Sequence, residues 1–468
     1  MAHSSPNSNQ RITAIETTTD TLTSRGGLAL FVRYLTTIDL FPLLDRWFGS
    51  LRKSRKGTAI VQLFKELFCF FLDGTSPHLT YFDVLHTDPG YAGVLEAAPD
   101  TLSSSHTIKR FFGAFSFVRV WLFRHLLQRL FLWRLQVEQP PVIYLDLDVM
   151  PMDNNDAEQR EGVQPTYKSY RGFAPLQLTG GPYIIDAVFR GGSKHSNHGE
   201  TVEQMIRHVV RRIRTHYDPE AVIVLTQDSG FFDQALLTVY EALEIGYIVG
   251  GKAYKDLRRA VASQPETAWQ AYQQGEQQWL CVELGDRRGT WSRFRRMVYS
   301  QAKSDDTGQL LLDCARPETV LYTNIGVDAK LTTALVRHED EEEEVSTVKF
   351  LLTRYHLRGK QELVHRALKE FGSEQLPFHK FTANAAWYYV MLTAFTLYEA
   401  FKRDLAVEGL PVTCYPTRFR RTLIDLAAKV VTTSGRRLLR FAQAAYDALG
   451  LDTLWERVQQ VTPLPALA

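Results

Sequence analysis

The sequence predicts an α/β protein: a mixed sheet covered by helices, carrying a strand-rich insertion and flanked by helical N-terminal and C-terminal regions. Three observations carry this. Between residues 139 and 253 short apolar runs of strand type alternate with amphipathic helical stretches, the pattern of a sheet buried between helix layers. From 26 to 138 apolar residues recur at helical spacing only. After 347 the chain again reads as long helices.

Taken in order, residues 1–25 are polar, rich in Ser and Thr, and read as a flexible tail or a hairpin lead-in. The helical N-terminal region, 26–138, runs from "GGLALFVRYLTTIDLFPLLDRWF" to "SSSHTIKRFFGAFSFVRVWLFRHLLQRLFLWRL", punctuated by Pro, Gly and Ser. Within it "SSSHTIKRFFG" reads either as a helix that touches DNA or as an amphipathic helix with snorkelling Lys109 and Arg110. The first part of the core, 139–253, holds "PPVIYLDLD", "PLQLTGGPYIIDAVFRGG", the helix-like "GETVEQMIRHVVRRIRTHY", the strand-like "AVIVLTQD", the helix-like "FFDQALLTVYEALEI" and the strand-like "GYIVGGKA". An insertion, 254–346, is irregular and strand-rich, with Trp269, Trp279, Trp291, the basic "RRGTWSRFRRMVY" and the acidic "HEDEEEEVS". The core resumes over 347–400, and a helical C-terminal region, 401–468, includes "RFRRTLIDLAAKVV".

Bulk properties exclude more than they assign. With 54 Lys and Arg against 52 Asp and Glu, the net charge is +2, so a polyanion would have to be held by local basic patches. Cys69, Cys281, Cys314 and Cys414 lie far apart without metal-ligand spacing, which argues against a disulfide scaffold or a zinc site and for a reducing, cytoplasmic setting. No signal peptide or membrane span is expected, because the N-terminus is polar and "LFKELFCFFLDG" is short and interrupted by charge.

Acidic residues at strand ends are the chemical signal. In "VIYLDLD" the period of two puts Tyr144, Asp146 and Asp148 on one face. "AVIVLTQDSGFF" ends a second apolar run at Asp228, which could also N-cap the next helix. A helix expected over 354–369 sets Tyr355, Arg358, Glu362 and Lys369 within an arc of about 60°, with Leu363, Val364, Ala367, Leu368 and Phe371 opposite. Such a stripe is either a solvated ion-paired face or the third side of a site. Three carboxylates meeting at the carboxyl ends of a sheet would suit hard divalent cations, whose shell is completed by phosphate oxygens. Arg358 and Lys369 would then hold nucleic-acid phosphates, with Tyr355 packing beside them.

In this order and spacing the residues resemble the DDE transposases of bacterial insertion sequences that carry the YREK signature; "TVLYTNI" and "FTANAAWYYVMLTAF" on either side of that helix are similar too. The resemblance implies an RNase H-like core interrupted by the insertion, acting in a bacterial cytoplasm with two Mg²⁺ ions, Mn²⁺ able to substitute. Its implied substrate is double-stranded DNA, the transposon ends with their terminal inverted repeats and the target, cut and pasted by a homodimer. It implies Asp148, Asp228 and Glu362 as catalytic and metal-binding acids. Met150 stands where the family often has Thr, which leaves Asp146 as an alternative first acid and Asp153 as a remote third. It also implies a tryptophan that stacks on a flipped base; Trp291 is the candidate, among Arg293, Arg295 and Arg296, with a core position as the alternative. Arg207, Arg211, Arg212 and Arg214, "RFRR" and "GRRLLR" are further candidates for a DNA track, with the helical domain at 26–138 expected to bind DNA and the region at 401–468 to serve DNA binding or dimerisation.

Three rival readings stay open. "VIYLDLDV" with "VLTQDSGFFD" also resembles haloacid-dehalogenase-type phosphatases, with Asp146 as nucleophile, Asp148 as general acid and Asp228 with Asp233 as Mg²⁺ ligands. A domesticated DNA-binding protein without chemistry and a plain nuclease with the same metal core are the other two.

Overall fold

The computed structural model describes residues 12, 14–52, 57–196, 199–312, 316–337 and 345–465, without the side chains of 359–361. The first eleven residues of the expected tail, Cys314 and the acidic run within 338–344 lie outside the described residues. Among the described residues no helix is long and apolar enough to cross a membrane.

Strand β1 is Thr21–Thr23, followed by seven helices: α1 (Leu28–Thr37), α2 (Leu40–Phe48), α3 (Ile60–Asp73), α4 (Tyr81–His86), α5 (Pro89–Val94), α6 (Ser105–Gly113) and α7 (Phe117–Glu138). Next come β2 (Ile143–Val149), a small sheet of β3 (Met152–Asp153), β4 (Gln164–Pro165) and β5 (Arg171–Phe173), and the hairpin β6 (Leu176–Gly180) and β7 (Tyr183–Val188). Helix α8 (Thr201–His216), β8 (Ile223–Gln227), α9 (Gln234–Ala242) and β9 (Gly246–Gly251) complete the alternating segment. In β2 the residues alternate buried and half-buried, because Leu145 and Leu147 enter one core while Tyr144, Asp146 and Asp148 face the other side.

Those five long strands lie in the order β7, β6, β2, β8, β9, with β8 and β9 parallel to β2 and the hairpin antiparallel to it. That is an RNase H-like core. The insertion does not form a sheet of its own. After α10 (Lys255–Ala262), strands β10 (Gln270–Gln274), β11 (Gln277–Asp286), β12 (Arg295–Ala302) and β13 (Glu318–Thr323) form an antiparallel meander, and β13 pairs with β9. The core sheet thereby extends to nine strands. The open edge of β9 offers unpaired backbone groups, and β13 satisfies them.

Helices α11 (Ala329–Val336) and α12 (Val348–His356) cover one face, where Val224, Ile248, Val298 and Leu321 meet Leu335, Leu351 and Leu352. The chain then runs through α13 (Gly359–Phe371) and α14 (Phe381–Leu405). Apolar almost all round, α14 is buried along most of its length and acts as a spine. Phe31 and Tyr34 of α1 pack on its Phe401, Phe71 of α3 and Phe112 of α6 on its Trp387, and Phe123 of α7 on its Tyr389. The N-terminal helices therefore share one continuous core with the sheet.

Three expectations are corrected. The expected tail contributes β1, which pairs with β14 (Ala428–Thr433). The helix expected over "RFRRTLIDLAAKVV" is the short α15 (Pro416–Phe419), a π turn at Arg420–Ile424 and then β14, hairpinned to β15 (Arg436–Phe441). Val430, Val431, Thr432 and Thr433 are β-branched, and Ser434 and Gly435 adopt φ of 49° and 74°, so strand propensity and a two-residue turn override the apparent helical period. Helices α16 (Gln443–Leu449) and α17 (Leu451–Gln460) close the chain.

The third correction falls on the YREK helix, which is two helices. Arg358 N–H bonds to Tyr355 O, three residues back rather than four, between α12 and α13. Backbone angles stay right-handed through the joint (Leu357 −60°, −18°; Arg358 −55°, −30°), so it is a 3₁₀ step that shifts the helical phase. Gly359 follows at once, a residue that weakens a helix interior.

Candidate active site

β2 and β8 run parallel with Leu147 opposite Gln227, so the next residue of each, Asp148 and Asp228, stand side by side at the carboxyl ends. Adjacent strands are about 4.8 Å apart, and two carboxylates held that close repel. Arg358 answers both: its Nη2 lies 3.4 Å from Asp148 Oδ2 and 3.9 Å from Asp228 Oδ2. The outer oxygens are held by backbone. Val149 N donates to Asp148 Oδ1 at 2.7 Å, and Gly230 N donates to Asp228 Oδ1 at 2.8 Å, where Asp228 caps the turn Ser229–Phe231. Asp228 is thus both a cap and a member of the pair.

Burial raises the pKa of both acids, and the Arg358 charge pulls each back down. Asp148 adds to the rise at Asp228, and Glu362 to the rise at Asp148. These are hard oxygen donors, disfavoured as anions by their surroundings and held together by a cation; that donor chemistry fits a divalent metal ion. Glu362 lies in the first turn of α13 and is exposed. Among the described residues no three Asp, Glu, His or Cys side chains stand close enough to hold one ion, so the structure joins the two aspartates and leaves Glu362 outside that contact.

Tyr355 stands one residue before the end of α12, with its ring 5.9 Å from the Arg358 guanidinium. Burial raises its pKa. Its hydroxyl rests on Gly250 of β9: a Cβ there would lie 2.6 Å from Tyr355 Oη and 2.8 Å from Ser229 N. Only glycine permits that approach of α12 to the turn bearing Asp228. Asp146 lies two residues back along β2, opposite Thr226, and lines a cavity with Leu363, Val364, Ala367 and Phe395. Asp148, then, and not Asp146, is in register with Asp228. Asp153 belongs to the small sheet, where it accepts from Asn155 N at 2.9 Å. Asp233 N-caps α9 through Ala235 N.

The family described as transposase DDE domain, group 1, matches residues 4–463. The chain belongs to that family. None of the curated proteins compared with this DDE transposase matches it. Among solved structures it is similar to a piggyBac transposase determined by cryo-EM as a synaptic complex with hairpin DNA, at 11% identity and a TM-score of 0.43, covering 94% of this chain and 83% of that one.

Elsewhere in the transposase the expected DNA contacts divide. Lys369 pairs with the Glu374 carboxylate, at the end of α13 far from Arg358. Trp291 is 4% exposed, packed against Phe232 and Tyr322, with the Arg288 and Arg295 guanidinium groups on its ring. The structure gives it a core position. Arg295 is buried against Glu241, and Arg296 holds Glu283 and the carbonyls of Ile325 and Ser346. Of the three arginines only Arg293 is largely exposed, 3.6 Å from Glu241. The exposed aromatic residue of this segment is Phe294. On α8, Arg207 pairs with Glu203 and Arg214 donates to the carbonyls of Leu243 and Glu244.

Sequence reasoning missed Tyr167. It sits on the turn between β4 and β5, largely exposed, its hydroxyl donating to Val149 O at 3.4 Å. Its hydroxyl end is partly buried where it reaches Val149, and that desolvation, then Asp148 and Asp228, push its pKa up to about 12. No periodicity marks it, because the small sheet's strands are two or three residues long.

Proposed function

We propose that this transposase cuts the ends of an insertion sequence and joins them to target DNA by cut-and-paste, with Asp148, Asp228 and Glu362 as its acids. The in-register aspartate pair bound to one arginine carries this reading. A divalent cation, Mg²⁺ by preference, would be held by Asp148 and Asp228 with Glu362 completing the set, and would supply Lewis-acid activation of the attacking oxygen and stabilisation of the departing one. Arg358 keeps the two carboxylates ionised and together before cutting, and is placed to transfer its hydrogen bonds to a phosphate of the bound strand. Tyr355 and Gly250 fix the end of α12 against the Asp228 turn, and so fix Arg358. Arg293 and Tyr167 would contact the DNA around this centre, and Lys369 would contact it farther along, at the other end of α13. Two ends must be joined together, so the active form on DNA is a homodimer, working on the nucleoid in a bacterial cytoplasm.

The test is cleavage of labelled duplexes carrying the element's own ends, with Mg²⁺, by the wild type and by Glu362→Gln. Cutting by the wild type alone is expected, with DNA binding retained in the variant. Equal cutting by both removes Glu362 from the chemistry. An end-bound complex that sizes as a monomer throughout the reaction removes the dimer.

A further inference from the structure

The hairpin of β14 and β15 has two unlike faces. Its inner face packs on the body: Val430 meets Gly93, Phe441 meets Gly26, and Arg437 donates to Ala97 O at 2.9 Å. Its outer face and its tip are bare. Residues 432–438 are all exposed, so the distal half stands out as a two-stranded ribbon. From Leu426 to Phe441 the chain contains Lys429, Arg436, Arg437 and Arg440 and no Asp or Glu.

The charges on that outer face are poorly compensated within the protein. Lys429 and Arg440 are directly opposed across the two strands, an arrangement of like charges that costs stability. Asp20 neutralises Lys429 at 2.7 Å. Arg436 and Arg440 have no ion pair or hydrogen bond among the described residues. Beside Arg436 at the tip stand the hydroxyls of Thr433 and Ser434, both exposed. A ribbon of this width enters the major groove of B-DNA, where arginine reads guanine with paired hydrogen bonds.

We propose that the β14–β15 ribbon enters the major groove of the transposon-end duplex and reads its sequence, through Arg436 with its neighbouring hydroxyls, while Arg440 holds a phosphate. This rests on the transposase reading above. The ribbon is fixed relative to the cutting centre. Arg420, just upstream, donates to Phe371 O at 2.7 Å and to Phe71 O and Leu72 O at 2.8 Å. Phe371 ends α13, whose other end is Arg358, roughly 20 Å away along the helix.

The experiment compares binding to duplexes taken from the DNA flanking the protein's own coding sequence with binding to shuffled duplexes of equal composition, over a series of salt concentrations. Arg436→Ala with Arg440→Ala is expected to bind the flanking duplex at least tenfold more weakly, with a salt slope shallower by about one, for the phosphate held by Arg440. Unchanged thermal melting would show that the fold is intact. The charge-keeping pair Arg436→Lys with Arg440→Lys should keep the slope and lose the preference, because lysine cannot form the paired bonds. Wild-type preference left untouched by both double variants overturns the proposal alone. Equal losses on flanking and shuffled duplexes overturn sequence reading, and a loss of self-association with unchanged DNA affinity makes the ribbon a subunit contact instead. A wild type that binds neither duplex overturns the transposase reading along with it.

Discussion

Replacing Arg358 with Gln removes the one cation that, among the described residues, lies within 4 Å of both Asp148 and Asp228. At an effective dielectric near 20, charges 3.4 and 3.9 Å apart attract by about 4 to 5 kcal/mol each, most of which is offset by dehydrating the three groups. Side-chain exposures of 18%, 20% and 38% place the trio between a surface pair and a buried one, so the expected net loss is about 1 to 3 kcal/mol. Without the arginine the acids, already raised by burial, rise further. A raised acid binds its proton more tightly in the folded chain, so its contribution to stability falls as pH rises from 3.8 through the folded value. Arg358→Gln should widen that fall and carry it toward neutral pH. The assay is thermal melting in EDTA, then in excess Ca²⁺ or Mg²⁺. The variant should melt a few degrees below the wild type in EDTA, and the gap should narrow with the cation, which takes over the neutralising role. Equal melting in EDTA, or a gap indifferent to the cation, would refute the idea that the pair is built around positive charge.

Three further outcomes rest on other contacts. Gly250→Ala should lose cleavage and roughly 2 kcal/mol or more of stability, because its methyl group would meet backbone at 2.8 Å as well as the Tyr355 hydroxyl; wild-type melting and cleavage would show that the approach is not tight. Trp291→Ala should cost about 3 to 5 kcal/mol in denaturant unfolding, the penalty of an emptied core site, and a neutral result would mean that the ring is held loosely enough to leave. His365 on α13 has its pKa lowered to about 4 by burial and by Lys369 and Arg358, so it stays neutral in the folded chain while the unfolded chain protonates near 6.5. Stability should therefore fall as pH drops from 6.5 to about 4, by an order of 3 kcal/mol, and His365→Gln should flatten that limb of a melting-against-pH curve.

Much of the architecture was legible because it is local. The run "VIYLDLD" alternates with period two and places Asp148 one residue before the end of β2. "AVIVLTQD" places Asp228 directly after β8, and the parallel register, Leu147 opposite Gln227, is what allows the two acids to meet. The long apolar helix α14 was visible for the same reason. The YREK spacing located the third element of the site, although the chain takes a 3₁₀ step inside it.

What the sequence determined by itself was the kind of each element, the face each residue takes, and the acids, bases and aromatic residues available; these depend on backbone propensity and side-chain period over a dozen residues. Tertiary structure alone decided partners. It set Arg358 on two aspartates, 210 residues from Asp148, seated Tyr355 on Gly250, buried Trp291 under two arginines, and carried the insertion's strands on from β9. The physical reason is that period reports which side of an element is apolar, whereas pairing, desolvation and charge balance depend on what packs against that side, and the chain brings that from far away.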